Sequence, residues 1–511
     1  MKFLKPRYSV FVLLFAFFSL PLTAEEEKKD EDKAKDEIVE TTHTITIQGE
    51  EIAYRARTGT ILMKTEHDKP QAKLFFIAYE KEDVENPAER PITFAFNGGP
   101  GSSSVWLHLG VLGPQRVDLD EDGYPYSLPF NLVDNEYSIL DKTDLVFIDP
   151  ISTGYSRTVE GVKPSQYHGI QKDIRSVGEF IRLFTTRYER WDSPKFIAGE
   201  SYGTTRASGL SEYLLGRYGM YLNGVILVSS VLDFQTIHFG SGNDQPFILF
   251  LPSYTATAWY HGQLDEELQQ RELPPLLADA REFAMGDYAN ALRQGSSLPE
   301  QERERIAREL AKWTGLSETY IKYSNLRIDI FGFTKELLRD KRRTVGRFDS
   351  RYKGVDREAT GERHDYDPSY TVIQGAYTAA LNHYVRSILK FESDLPYEIL
   401  TGRVHPWDWG PYENRYVNVA QDLRQAMTKN PYMQVMVLSG YYDLATPYLA
   451  AEYTFDHLGL APVLRNHLHF TYYDAGHMMY LHEPSLKKMK QDLDRFIQTT
   501  LEETSEPIQR Y

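Results

Sequence analysis

The chain has 511 residues and a formal net charge of −16, from 57 Lys and Arg against 73 Asp and Glu. That length is enough for a large core, and that acidity argues against nucleic acid as a partner, since a phosphate backbone calls for a basic face. The absence of Cys excludes disulfides, a thiol nucleophile and thiolate metal sites.

Residues 1–24 read as an export signal. Lys2, Lys5 and Arg7 precede an apolar run from Val10 to Leu22, and Leu22-Thr23-Ala24 ends on a small residue. The run is shorter than the ~20 residues a spanning helix needs. The expectation is therefore cleavage, a periplasmic or secreted destination, and no stable membrane anchor afterwards. Residues 25–41 are dominated by mixed charge and read as a disordered leader, with structure beginning near Thr42.

His43–Ile47, Ile52–Met63 and Leu74–Tyr79 have the style of antiparallel strands at a sheet edge. Ile92–Phe96 is a buried-type strand that runs into Asn97-Gly98-Gly99-Pro100-Gly101-Ser102-Ser103-Ser104. Adjacent glycines let backbone N–H groups converge on one point. Asp118–Gly123 imitates half a calcium loop, but Pro129 stands where the closing Glu is needed, so it reads as a charged turn. Asp144–Pro150 is another buried strand, and Tyr167–Tyr188 has helical periodicity.

Phe196-Ile197-Ala198-Gly199-Glu200-Ser201-Tyr202-Gly203 follows. An apolar run ends in Gly-x-Ser-x-Gly and a helical pattern begins at once, as in a nucleophile elbow. Gly224–Ser229 then completes a strand-helix rhythm, which implies a parallel sheet covered on both faces. Residues 234–398 break that rhythm: they are charged, aromatic and mostly helical in pattern, and read as an inserted cap, with Arg342–Arg363 as a mobile linker. The core is thus expected in two pieces, 42–233 and 399–505. The sheet resumes at Gln434–Leu438, ending in Ser439-Gly440-Tyr441-Tyr442-Asp443, and its last strand is Leu468–Tyr473, before Asp474-Ala475-Gly476-His477. An amphipathic helix from Pro484 to Leu501 closes the fold.

Ser201, Asp443 and His477 each follow a buried strand, in the order Ser…Asp…His. Catalytic loops lie at the carboxyl ends of such strands. Ser201 suits the nucleophile, His477 the base, and Asp443 the group that orients it. Asp474 and His482 are nearby alternatives to the acid and the base. His467 and His469 share a strand face but lack an acidic third ligand, so no metal site is expected.

These motifs together resemble the serine carboxypeptidase family. The resemblance rests on Asn97–Ser103, Gly199–Gly203, Ser439-Gly440-x-x-Asp443, Ala475-Gly476-His477-Met478, and Phe147-Ile148-Asp149 with Gly154-Tyr155-Ser156. It implies an α/β-hydrolase fold, a mostly parallel central sheet with helices on both faces and an inserted helical cap. It implies removal of C-terminal residues from peptides or proteins through an acyl-enzyme, often at acidic pH and without a cofactor. It assigns Ser201, Asp443 and His477 to the triad and the N–H groups of Gly99 and Tyr202 to the oxyanion hole. Asn97, Glu200 and the N–H of Gly98 would hold the substrate's terminal carboxylate, with Glu200 as the neutral acid. The family usually pairs that glutamate with a second one before a Gly-Pro; ahead of Gly113-Pro114 that position is Val111. The usual Cys of the glycine loop is Ser102. The family's disulfides cannot form in a chain without Cys; that and Ser102 suit a bacterial exported member. Val111 also keeps open an esterase or acyltransferase built on the same triad.

Overall fold

Side chains of successive strand residues point to opposite faces, and the buried strands here sort accordingly into two cores. The computed structural model describes residues 35–126 and 128–504; the expected export signal, 1–24, lies outside them. The main sheet contains β1 (Glu37–Ile47), β2 (Glu50–Lys64), β3 (Pro70–Lys81), β4 (Ile92–Phe96), β5 (Asp144–Ile148), β6 (Lys195–Glu200), β7 (Gly224–Val228), β8 (Gln434–Gly440) and β9 (Leu468–Tyr473). Their order is β1-β2-β3-β5-β4-β6-β7-β8-β9, and the short strand Arg157–Thr158 pairs with β3. From β5 to β9 all neighbours are parallel. The β1–β2–β3 edge is antiparallel, as its alternating pattern predicts, and joins the rest through an antiparallel β3–β5 pair.

The stretch expected as a leader does not run to residue 41, and its first part, 25–34, lies outside the described residues. β1 starts at Glu37, inside the stretch read as disordered, because its residues pair along β2 from Glu37↔Thr60 onward. Its acids are not free: Glu37 meets Lys73 at 2.6 Å and Glu40 meets Arg57 at 2.7 Å. Mixed charge that looks solvated in sequence is here the outer face of an edge strand.

The principal helices are α1 (Ile170–Arg187), α2 (Tyr202–Tyr218), α3 (Leu251–Tyr260), α4 (Leu273–Phe283), α5 (Glu300–Thr314), α6 (Pro368–His383), α7 (Ala420–Lys429) and α8 (Glu483–Thr504). One sheet face carries Ala198, Ile226, Val228, Met436 and Leu438, and packs on α8 through Leu486, Met489, Leu493 and Phe496. The other carries Ile197, Val225, Leu227, Val435 and Val437, and packs on α1, α2 and α7 through Ile174, Val177, Leu210, Leu214 and Leu423. Each fully buried Val, Leu, Ile, Met or Phe side chain among these contributes roughly 1.5–3 kcal/mol, so the two-sided covering dominates the stability of this layer.

The chain leaves the sheet after β7 and returns to it at β8. The two crossings run side by side, with Phe234 N–H donating to the Val417 carbonyl at 2.8 Å and Val419 N–H to that of Leu232 at 2.9 Å. Between them α3, α4 and α5 build a separate core from Leu251, Tyr254, Leu276, Ile306 and Leu310. By contrast α6 places Ile373, Tyr377 and Leu381 in the core of the α8 face of the sheet. Arg342–Arg363 is not a free linker. Thr344–Val345 pairs with Lys353–Gly354, and the buried Arg351 holds Asp349 at 2.7 Å. Among the described residues no helix is long and apolar enough to cross a membrane.

Candidate active site

Strand β6 turns into α2 at Ser201, whose backbone stands at φ 59° and ψ −129°. A serine in this region costs about 1–3 kcal/mol of strain, and hydrogen bonds hold it there. Ser201 N–H donates to the Val228 carbonyl at 3.0 Å, and its own carbonyl accepts from Thr204 N–H at 2.8 Å. The flanking glycines are steric requirements. A Cβ at Gly199 would lie 2.3 Å from the Gly203 carbonyl oxygen, and one at Gly203 would lie 2.8 Å from that of Phe96.

Asp443, past the end of β8, is fully buried. Its Oδ1 accepts from the N–H groups of Ala445 and Thr446 at 2.7 and 3.0 Å, and its Oδ2 from Thr446 Oγ1 at 2.8 Å. The same Oδ2 lies 2.8 Å from His477 Nδ1. With Nδ1–H donating to this carboxylate, Nε2 is left as the basic nitrogen. Burial pulls the His477 pKa down, but the charge and hydrogen bond of Asp443 overcome it, with help from Glu200, and hold the pKa above its ordinary value. Ser201, Thr446 and His477 line one cavity of about 460 Å³. The alternatives go elsewhere: Asp474 is exposed, and His482 pairs with Ser485 Oγ at 2.8 Å.

The glycine loop lies directly on the elbow. A Cβ at Gly98 would sit 2.4 Å from Tyr202 N. Among the described residues, the N–H groups of Gly99 and Tyr202 have no hydrogen-bond acceptor, and both residues line the cavity beside Ser201. The loop's far end is anchored by Asp149 Oδ1, which accepts from Ser104 N–H at 2.8 Å and Oγ at 2.9 Å.

Asn97 and Glu200 also line this cavity. Asn97 Oδ1 accepts from Leu107 N–H at 3.1 Å, so its amide NH₂ is the end left to donate, and it favours the charged form of the neighbouring Glu200. Glu200 is 3% exposed and accepts a 2.8 Å hydrogen bond from the Tyr480 hydroxyl. Its pKa is pushed up to about 7, chiefly by burial; His477, Tyr480 and Asn97 hold it down and Asp443 adds a further rise. Below that pH the side chain is the neutral acid. Val111 is fully buried and brings no second carboxyl to this wall.

Residues 50–483 match the family model described as serine carboxypeptidase. The chain belongs to the serine carboxypeptidase family. It is 30% identical to serine carboxypeptidase-like 1 of Arabidopsis thaliana over 207 residues, 39% of this chain and 44% of that one. It is 27% identical to the pheromone-processing carboxypeptidase KEX1 of Vanderwaltozyma polyspora, over 51% of this chain and 34% of that one. The chain thus spans less than half the length of these curated relatives. The crystal structure of Kex1Δp, a prohormone-processing carboxypeptidase from Saccharomyces cerevisiae, superposes with a TM-score of 0.55 at 18% identity, covering 87% of this chain and 91% of that one. The fold is that of the α/β-hydrolases.

Within this serine carboxypeptidase framework the structure adds residues that sequence reasoning missed. Arg206, buried on α2, reaches Asp173 of α1 and the carbonyl of Asn97. A charged residue one helical turn past Tyr202, on a buried helix, was the available signal. Phe348 and Asp349, in the stretch read as a linker, grip the histidine loop: His477 N–H donates to the Phe348 carbonyl at 2.6 Å and Gly476 N–H to Asp349 Oδ2 at 2.9 Å. Tyr480 and Thr446 carry no motif of their own; only their proximity in sequence to His477 and Asp443 pointed to them.

Proposed function

We propose that this protein is a serine carboxypeptidase that hydrolyses C-terminal peptide bonds of peptides or proteins. The observation that carries this reading is that one cavity is lined both by Ser201 and His477 and by Asn97 and the neutral acid Glu200. Reaction chemistry and a device for reading a terminal carboxylate thus share one wall. Ser201 Oγ attacks the carbonyl carbon and His477 takes its proton. The N–H groups of Gly99 and Tyr202 receive the oxyanion. His477 then protonates the leaving amine, the acyl-enzyme forms, and water attacks through the same histidine. Glu200, Asn97 and the Gly98 N–H hold the carboxylate of the departing residue. An ionised Glu200 about 4 Å from that carboxylate would oppose it by about 4 kcal/mol at an effective dielectric constant near 20, so binding depends on the neutral form. Residues 1–24 fit export to the periplasm or outside the cell.

The test is hydrolysis of one blocked dipeptide with its C-terminus free and then amidated, across pH 4 to 8. A strong preference for the free acid that fades as Glu200 ionises supports this reading. Equal rates on both forms, or turnover of simple esters alone, would instead favour the esterase or acyltransferase that Val111 keeps open.

A further inference from the structure

The acid that faces the cavity has a partner with no counterpart among the roles assigned so far. Tyr480 is buried, and its hydroxyl lies 2.8 Å from Glu200 Oε2. Its ring occupies space that the chain leaves open for it: a Cβ at Gly110 would come within 2.3 Å of Tyr480 Cε2 and 2.6 Å of Cδ2. The next residue is the uncharged Val111, so the place of a second acid is taken by a small residue, an apolar one and a phenol. We propose that Tyr480 is a positioning residue for carboxylate recognition: its hydroxyl bonds Glu200 Oε2, leaves the acid's proton on Oε1, and so orients Glu200 as a donor toward the substrate's terminal carboxylate. This rests on the carboxypeptidase reading given above.

The chemistry follows from counting protons. A neutral carboxyl has one proton and two oxygens, and it serves as a donor only if the proton sits on the oxygen that faces the ligand. Burial raises the Tyr480 pKa well above that of an ordinary phenol, so the hydroxyl stays protonated and donates throughout the working range. A second carboxyl would itself titrate; the phenol does not. The same hydrogen bond also favours the Glu200 anion, so it restrains the rise of the Glu200 pKa. The other groups facing Glu200 are His477 and Asp443 from the strand ends, Asn97 from the glycine loop, and Tyr377 from α6. Of these, His477 and Asn97 also hold the pKa down and Asp443 raises it.

The experiment compares the wild type with Tyr480→Phe on a blocked dipeptide acid and on its amide, from pH 4 to 8. For the acid, KM at pH 5 is expected to rise about tenfold, equivalent to losing one hydrogen bond of about 1.4 kcal/mol. The alkaline limb should move to higher pH, and kcat should stay within about twofold, since the triad is untouched. KM for the amide should not change. In parallel, infrared titration of the carboxylic-acid band assigned with Glu200→Gln should show Glu200 ionising at higher pH in Tyr480→Phe than in the wild type. Equal effects on acid and amide would mean a packing role only, and an unmoved infrared titration would remove the hydrogen-bond argument; either overturns the proposal. A wild type with no preference for the acid overturns the carboxypeptidase reading, and this proposal with it; a preference that Tyr480→Phe leaves intact overturns this proposal alone.

Discussion

Arg206 Nη1 donates to the backbone carbonyl of Asn97 at 2.6 Å, tying the helix that follows Ser201 to the glycine loop in front of it. Its Nε meets Asp173 Oδ2 at 2.7 Å, and both side chains are almost wholly buried. Removing one partner of such a pair strands the other charge, a loss of about 3–5 kcal/mol. Arg206→Ala should show this in urea denaturation. Replacing both charges, as Arg206→Met with Asp173→Leu, should recover most of the stability. It should not recover the KM for free-acid substrates, because Asn97 then loses its tether. Recovery of both would mean the pair serves stability alone.

Ser201→Ala is expected to reduce hydrolysis to background. Asp443→Asn should keep the fold and lower kcat by about 10⁴-fold, because an amide can present N–H to Nδ1 and favour the wrong imidazole tautomer. Steady-state kinetics checks both. Retained turnover in Ser201→Ala would remove the assignment of the nucleophile.

Gly476→Ala tests whether the inserted segment positions the base. A Cβ there would lie 2.4 Å from the Phe348 carbonyl oxygen and 2.5 Å from Asp349 Cα. Both contacts are backbone, so the histidine loop or the 346–352 segment must shift. The Phe348 carbonyl is also the acceptor for His477 N–H. A 1 Å misplacement of a catalytic group costs on the order of 100-fold in rate, so kcat should fall by about that factor while circular dichroism stays unchanged.

The sheet was legible because its strands announce themselves: Ile92–Phe96, Gly224–Val228 and Leu468–Tyr473 are short apolar or alternating runs bounded by turn residues. The elbow was legible because its glycines are dictated by backbone clearance, a local requirement. What sequence could not reveal depends on distant partners. Glu37 looks solvated until Lys73 lies beside it, and Arg342–Arg363 looks free until Asp349 meets Gly476 N–H. The packing of α6 against the sheet, rather than with α3–α5, depends on which apolar surface is nearest in space. Tyr480 lies close to His477 in sequence, but nothing in the order of residues places its phenol against Glu200.

Glu200→Gln separates pH effects on binding, on the base and on stability. A carboxyl with a raised folded-state pKa binds more protons folded than unfolded between its ordinary value, 4.5, and about 7. Its stabilisation is therefore complete below that window and is lost as pH rises through it. At about 1.4 kcal/mol per pH unit, this one group lowers wild-type stability by about 3 kcal/mol across the window, a loss that Glu200→Gln lacks. Urea midpoints at pH 4.5 and 7.5 should show the two proteins diverging as pH rises. The anion at Glu200 also raises the His477 pKa, so in Glu200→Gln the base should become neutral at lower pH. On an amide or ester substrate, which does not call on the carboxylate site, the acid limb of kcat/KM should move down in pH. On a free-acid substrate the fall in binding that tracks Glu200 ionisation should disappear, because glutamine donates its hydrogen bond at every pH. If the acid limb stays where it is, Glu200 and His477 are not electrostatically coupled.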